Sequence, residues 1–115
     1  MENCIFCKII NREMPSDIIY ENEQVIAFKD INPKAEVHVL IVPKKHVANL
    51  NEVNDNDKEL LAGIFLAAKQ IAQQLNLGTQ GYKLVLNVGR GAGQVIDHLH
   101  LHLLSGAYNR PLNEI

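Results

Sequence analysis

Two periods of hydrophobic residues divide the chain. Between 57 and 75, apolar side chains at 60, 61, 64, 65, 68, 71, 72 and 75 recur every three or four residues, a one-sided stripe that predicts one long helix. Asn56 and Glu59 have the spacing of a capping box at its start, and Gly78 suits a C-terminal stop. The segment 4–11, CIFCKIIN, carries Ile5, Phe6, Ile9 and Ile10 at helical spacing, which predicts a short helix before Pro15 with Cys4 and Cys7 on one face.

Elsewhere the pattern shortens. Ile18–Glu21 and Val25–Lys29 flank the polar spacer Asn22-Glu23-Gln24, a hairpin signature, and Asp30-Ile31-Asn32-Pro33 ends the second strand. The run 37–42 is continuously apolar apart from His38 and stops at Pro43, as a strand buried on both faces would. The segments 82–88 and 98–104 read as two further strands joined through GRGAGQ, whose glycines 89, 91 and 93 alternate. Helix, strands, helix, strands is the order of an α+β fold built on a five-stranded antiparallel sheet.

Composition narrows the function. With 47% hydrophobic and 21% charged residues, the 115-residue chain has the make-up of one folded domain spanning 1–115. A net charge of −2 leaves no basic footprint for nucleic acid, and Lys44-Lys45 is too short to be one. No apolar run reaches the ~18 residues a membrane span requires, and the N-terminus lacks a signal-peptide pattern, so a cytoplasmic protein with small-molecule partners is expected.

The candidate chemistry lies near the C-terminal end, where HLHLHLL begins at residue 98. On a strand, His98, His100 and His102 project from one face, roughly 6 to 7 Å apart, while Leu99, Leu101 and Leu103 project from the other. A single histidine on a sheet is ordinarily solvated or tied to a carbonyl; three in strict alternation suggest a shared ligand. A neutral imidazole is a competent nucleophile at pH 7, and neighbouring rings can bind phosphate oxygens. The glycine-rich turn beside them can approach a phosphate closely or can be a plain flexible connection. A three-histidine catalytic metal centre is an alternative use of the same row.

The row resembles the hallmark of the histidine triad family, His-φ-His-φ-His-φ-φ with φ apolar. The resemblance extends to CIFCKII near the start, AFKDINP at 27–33, HVLIVPKKH at 38–46 and NVGRGAGQ before the triad, which are similar to the Hint branch. It implies a homodimer with one sheet continuous across both subunits, and hydrolysis of nucleoside 5′-phosphoramidates and acyl nucleotides, with a purine nucleotide as ligand. By the family pattern His100 attacks the α-phosphorus, His102 binds the phosphate, His38 helps hold His100, and His98 completes the triad. Asp30 then takes the ribose hydroxyls. Ile5, Phe6, Ile9, Phe28, Ile31 and Leu40 enclose the base, while Asn87, Gly93, Gln94 and Val95 fall at ribose and phosphate positions. Val95 is a departure, because relatives commonly carry serine there.

Two cysteines in a CxxC, in a chain expected to be cytoplasmic, suggest metal or redox chemistry more than a disulfide. Relatives with this feature place a structural zinc, which implies Cys4, Cys7, His46 and His98 as its ligands here. A reduced pair of buried thiols is the alternative. Two other functions stay open: a nucleotide-binding or scaffolding protein with weak catalysis, and a dinucleoside polyphosphate hydrolase.

Overall fold

The structure is a computed structural model that describes residues 3–106. Its elements are α1 (Ile5–Ile10), β1 (Ile18–Glu21), β2 (Val25–Lys29), β3 (Val37–Pro43), α2 (Lys58–Gln74), β4 (Lys83–Val85) and β5 (Leu101–Ser105). The five strands form one antiparallel sheet in the order β1-β2-β3-β5-β4. The fold class is therefore the one expected.

Strand alternation sorts the apolar residues onto two faces. Val25, Ala27, Val39, Ile41, Leu101 and Leu103 pack with Ile64, Ala67, Ala68 and Ile71 of α2. Ile26, Phe28, Leu40 and Val42 point the other way, against Phe6 and Ile9 of α1. Both faces of β2 and β3 are covered, which is why their sequences are nearly unbroken apolar runs. Asn22 closes the β1–β2 hairpin by accepting from the Gln24 and Val25 amides through its side chain, at 2.9 and 2.8 Å.

Four expectations are corrected in detail. The capping box is Asn54 with Asp57, not Asn56 with Glu59. It closes a 3₁₀ turn, Asp55–Asp57, from which α2 continues. The helix ends at Gln74, and the left-handed residue that stops it is Asn76 rather than Gly78. Asn76 has φ 57°, and the Leu77 and Asn76 amides reach back to the Ala72 and Gln73 carbonyls at 2.8 and 3.2 Å, the paired bonds of a Schellman turn. The strand expected at 82–88 pairs only through Val85, opposite His102, beyond which Asn87 turns its side chain to the Ala92 carbonyl at 2.8 Å.

The strand expected at 98–104 joins the ladder only at Leu101. Ile41 is its last partner on β3, and the next such position is Pro43, which has no N–H to offer. The Leu99 amide donates instead to the Val47 carbonyl at 2.7 Å. Leu99, Leu101 and Leu103 still share the α2 side. No helix among the described residues is long and apolar enough to cross a membrane.

Candidate active site

On the α1 side of the sheet lies a cavity of about 610 Å³. Its apolar wall combines Ile5, Phe6 and Ile9 of α1 with Phe28 and Leu40, and its polar wall holds Asp30, His38, His100 and His102. Phe6 meets both ends: its ring centroid lies 5.4 Å from that of Phe28 and 5.1 Å from that of His100, edge-on in each case. Asn87 and Gly93 close the polar side, and Gly93 with φ 94° occupies backbone space that glycine takes without strain. Ile31 and Val95 also border the cavity but are 85% and 72% exposed, so they form its rim rather than its wall.

Each histidine has a different partner. The His100 Nδ1–H donates to the His98 carbonyl at 2.7 Å, which leaves the lone pair on Nε2. His102 Nδ1 lies 2.9 Å from His38 Nε2, and His38 Nδ1 accepts from the Lys34 amide at 3.1 Å. Because Lys34 N–H can only donate, neutral His38 carries its proton on Nε2 and gives it to His102 Nδ1, so that His102 in turn presents Nε2–H as a donor. Asp30 accepts from the Asn32 amide at 2.9 Å, and its other oxygen lies 3.4 Å from His38 Nε2.

Burial pushes all of these imidazoles toward their neutral forms. It lowers His38 and His100, and it brings His102 to about 4, helped by repulsion from His100 and His38. His98 also falls to about 4, chiefly by burial, against the opposing effect of its bond to Pro43.

Two expected contacts are absent. His38 bonds His102 rather than His100: in the β3–β5 register His102 sits opposite Leu40, which brings the ring of His38, two residues along the same face, onto His102. Gln94 is not brought to the cavity. It is 2% exposed, accepts from the Gly89 amide at 2.8 Å and donates to the Ala48 and Ile96 carbonyls at 2.7 and 2.9 Å, which makes it the internal brace of the glycine loop. Arg90 braces the same loop from outside through the Gln94 and Val95 carbonyls and Asp97. The sequence reading missed Lys34, Met14 and Ile96 as cavity-lining residues. The nearness of Lys34 to His38 in sequence was the one available signal.

The ring of His98 points away from the cavity into a second group of side chains. Its Nε2–H donates to the Pro43 carbonyl at 2.8 Å, and its Nδ1 lies 3.4 Å from Cys4 Sγ and 3.7 Å from Cys7 Sγ. His46 Nδ1 is 3.3 Å from Cys7 Sγ. The four ligand atoms of Cys4, Cys7, His46 and His98 all lie within 4.8 Å of one another, close enough to hold a metal ion. Metal–sulfur and metal–nitrogen distances of about 2.3 and 2.0 Å in a tetrahedron put sulfur ~3.5 Å from nitrogen, in line with these separations. The Pro43 carbonyl fixes His98 in the tautomer a metal at Nδ1 needs. Without a metal, burial and the neighbouring Cys4 push the Cys7 thiol up to about 11; a bound cation reverses that preference.

Comparisons with known proteins agree with this geometry. A family model described as scavenger mRNA decapping enzyme C-term binding matches residues 3–115. Purine nucleoside phosphoramidase of Escherichia coli (strain K12) is 42% identical over 111 residues, covering 96% of this chain and 91% of that one. A HIT-like protein of Synechococcus elongatus is 48% identical over 105 residues, 91% of each chain. Among solved structures, a HIT family hydrolase from Clostridium thermocellum superposes with a TM-score of 0.91 at 53% identity over 96% of both chains, and one from Legionella pneumophila with 0.89 at 50%, over 94% of this chain and 96% of that one. With the family model matching residues 3–115 and these relatives covering more than nine-tenths of its length, the chain is a member of the histidine triad, or HIT, family.

Proposed function

We propose that this chain is a nucleotide hydrolase that cleaves nucleoside 5′-phosphoramidates, and acyl nucleotides by the same route. The observation that carries the reading is the bond from His100 Nδ1 to the His98 carbonyl, which leaves an unprotonated Nε2 on a cavity-lining imidazole. The similarity to a purine nucleoside phosphoramidase supports the substrate class.

In this reading the purine lies against Phe6, Ile9, Phe28 and Leu40, and Asp30 accepts from the ribose hydroxyls. His100 Nε2 attacks the α-phosphorus. A phosphorus–imidazole bond forms as the phosphorus–nitrogen bond of the substrate breaks, and the amine departs with a proton taken from water. His102 Nε2–H donates to a non-bridging oxygen, with Asn87 and the Gly93 backbone beside it. Water then attacks phosphorus, releasing the nucleoside monophosphate and restoring neutral His100. No hydroxyl is available at Val95, so the leaving group must be accommodated without one.

Cys4, Cys7, His46 and His98 would hold a zinc ion. A closed four-ligand zinc site supplies structure, stapling α1 to the histidine segment, rather than an activated water. The reading includes a homodimer, as the family resemblance implies.

The test is His100→Ala. It is expected to abolish turnover of an adenosine 5′-phosphoramidate, by at least about a thousandfold, while AMP binding by calorimetry persists. Quenched wild-type enzyme should yield a nucleotidylated His100 by mass analysis; undiminished turnover in the variant would refute the role.

A further inference from the structure

A nucleotide phosphate is an anion at neutral pH, and the end of a cavity that receives it gains from a nearby positive charge. His38 and His100 are buried and His102 is half-buried, and all three are committed to hydrogen bonds, so they offer a phosphate hydrogen bonding rather than a fixed charge. Three charged side chains line the same cavity: Lys29, Asp30 and Lys34. Lys29 is engaged with Asp17 at 3.4 Å, and Asp30 is itself an anion. Lys34 is exposed, and among the described residues no carboxylate forms an ion pair with it.

Its place is set by the backbone. The Asp30 amide donates to the His38 carbonyl at 2.9 Å, closing the loop between them, and the Asn32 amide ties to the Asp30 side chain at 2.9 Å. Within that loop the Lys34 amide is bound to His38 Nδ1 at 3.1 Å. The side chain therefore starts beside the His38–His102 pair, and its charge is felt at both rings.

We propose that Lys34 is an anion-binding residue of this cavity, its ammonium providing the fixed positive charge against which a substrate phosphate is held beside His102. The proposal rests on the nucleotide reading and sharpens it: Lys34 favours anionic nucleotides over neutral nucleosides. It assigns no role in bond making or breaking to Lys34.

Calorimetric titration of AMP and of adenosine into wild type, Lys34→Gln and Lys34→Arg tests it. Lys34→Gln should bind AMP roughly three- to fivefold more weakly at low salt, the range of a partly exposed ion pair, with adenosine unaffected and Lys34→Arg close to wild type. The difference should shrink at about 1 M salt. Equal AMP affinity in Lys34→Gln and wild type, or an equal loss for adenosine, would overturn the proposal, the second pointing to packing instead of charge. Failure of the wild-type protein to bind AMP at all would overturn the nucleotide reading itself, a result visible before any variant is compared.

Discussion

Three chemically identical side chains become different because each imidazole commits its nitrogens differently, as donor or as acceptor. His98 gives Nε2–H to Pro43, His100 gives Nδ1–H to the His98 carbonyl, and His102 accepts at Nδ1 from His38. The row in the sequence points to a shared site but not to these roles, since tautomers follow from partners that lie far along the chain. Burial makes the roles pH-dependent. His102 titrates near 4 in the fold against about 6.5 in the unfolded chain. Its contribution to stability is therefore complete above pH 6.5 and is lost as pH falls toward 4, where the unfolded chain takes up a proton the fold refuses. Urea midpoints should decline between pH 6.5 and 4.5, and less steeply in His102→Gln; equal slopes in the two proteins would contradict this. For His100, which burial also lowers, the acid limb of kcat/KM should lie below pH 6.5.

At the scale of elements, α1 has two duties. Phe6 and Ile9 form the apolar wall of the cavity, while Cys4, at the helix N-cap, and Cys7 supply half of the possible metal ligands. Only six residues long, this helix cannot be stable alone, so its docking depends on packing and on whatever the cysteines hold. Cys7→Ser is expected to lower the bound zinc, measured by elemental analysis, from near one per chain to near zero. AMP affinity should weaken in parallel as Phe6 loses its anchor; unchanged metal content would exclude Cys7 as a ligand. Element positions were largely legible from hydrophobic period. The ends were not, because Asn54, Asn76 and Pro43 act through backbone bonding, which apolar periodicity does not report.

At the scale of the molecule, the cavity draws Phe6, Asp30, His38 and His100 from four segments, and the sheet order β1-β2-β3-β5-β4 brings them together. The outer side of α2 leaves Phe65 and Leu66 50% and 65% exposed, neighbouring apolar residues of the kind an interface covers. If α2 takes part in the expected homodimer, sedimentation should give about twice the 12.9 kDa chain mass, and Phe65→Glu should shift it to monomer. A monomeric wild-type protein at micromolar concentration would remove the dimer from the reading.

The chain's sequence by itself determined the α+β class, the burial of Leu99, Leu101 and Leu103 on one side of the sheet and the apolar stripes that bury the rest, because these follow from local period and side-chain alternation. Only the tertiary structure decided that His38 serves His102, that Gln94 braces a loop, and that Lys34 borders the cavity. Those outcomes depend on register between distant strands and on which backbone groups remain unpaired, quantities that exist only once the strands have met.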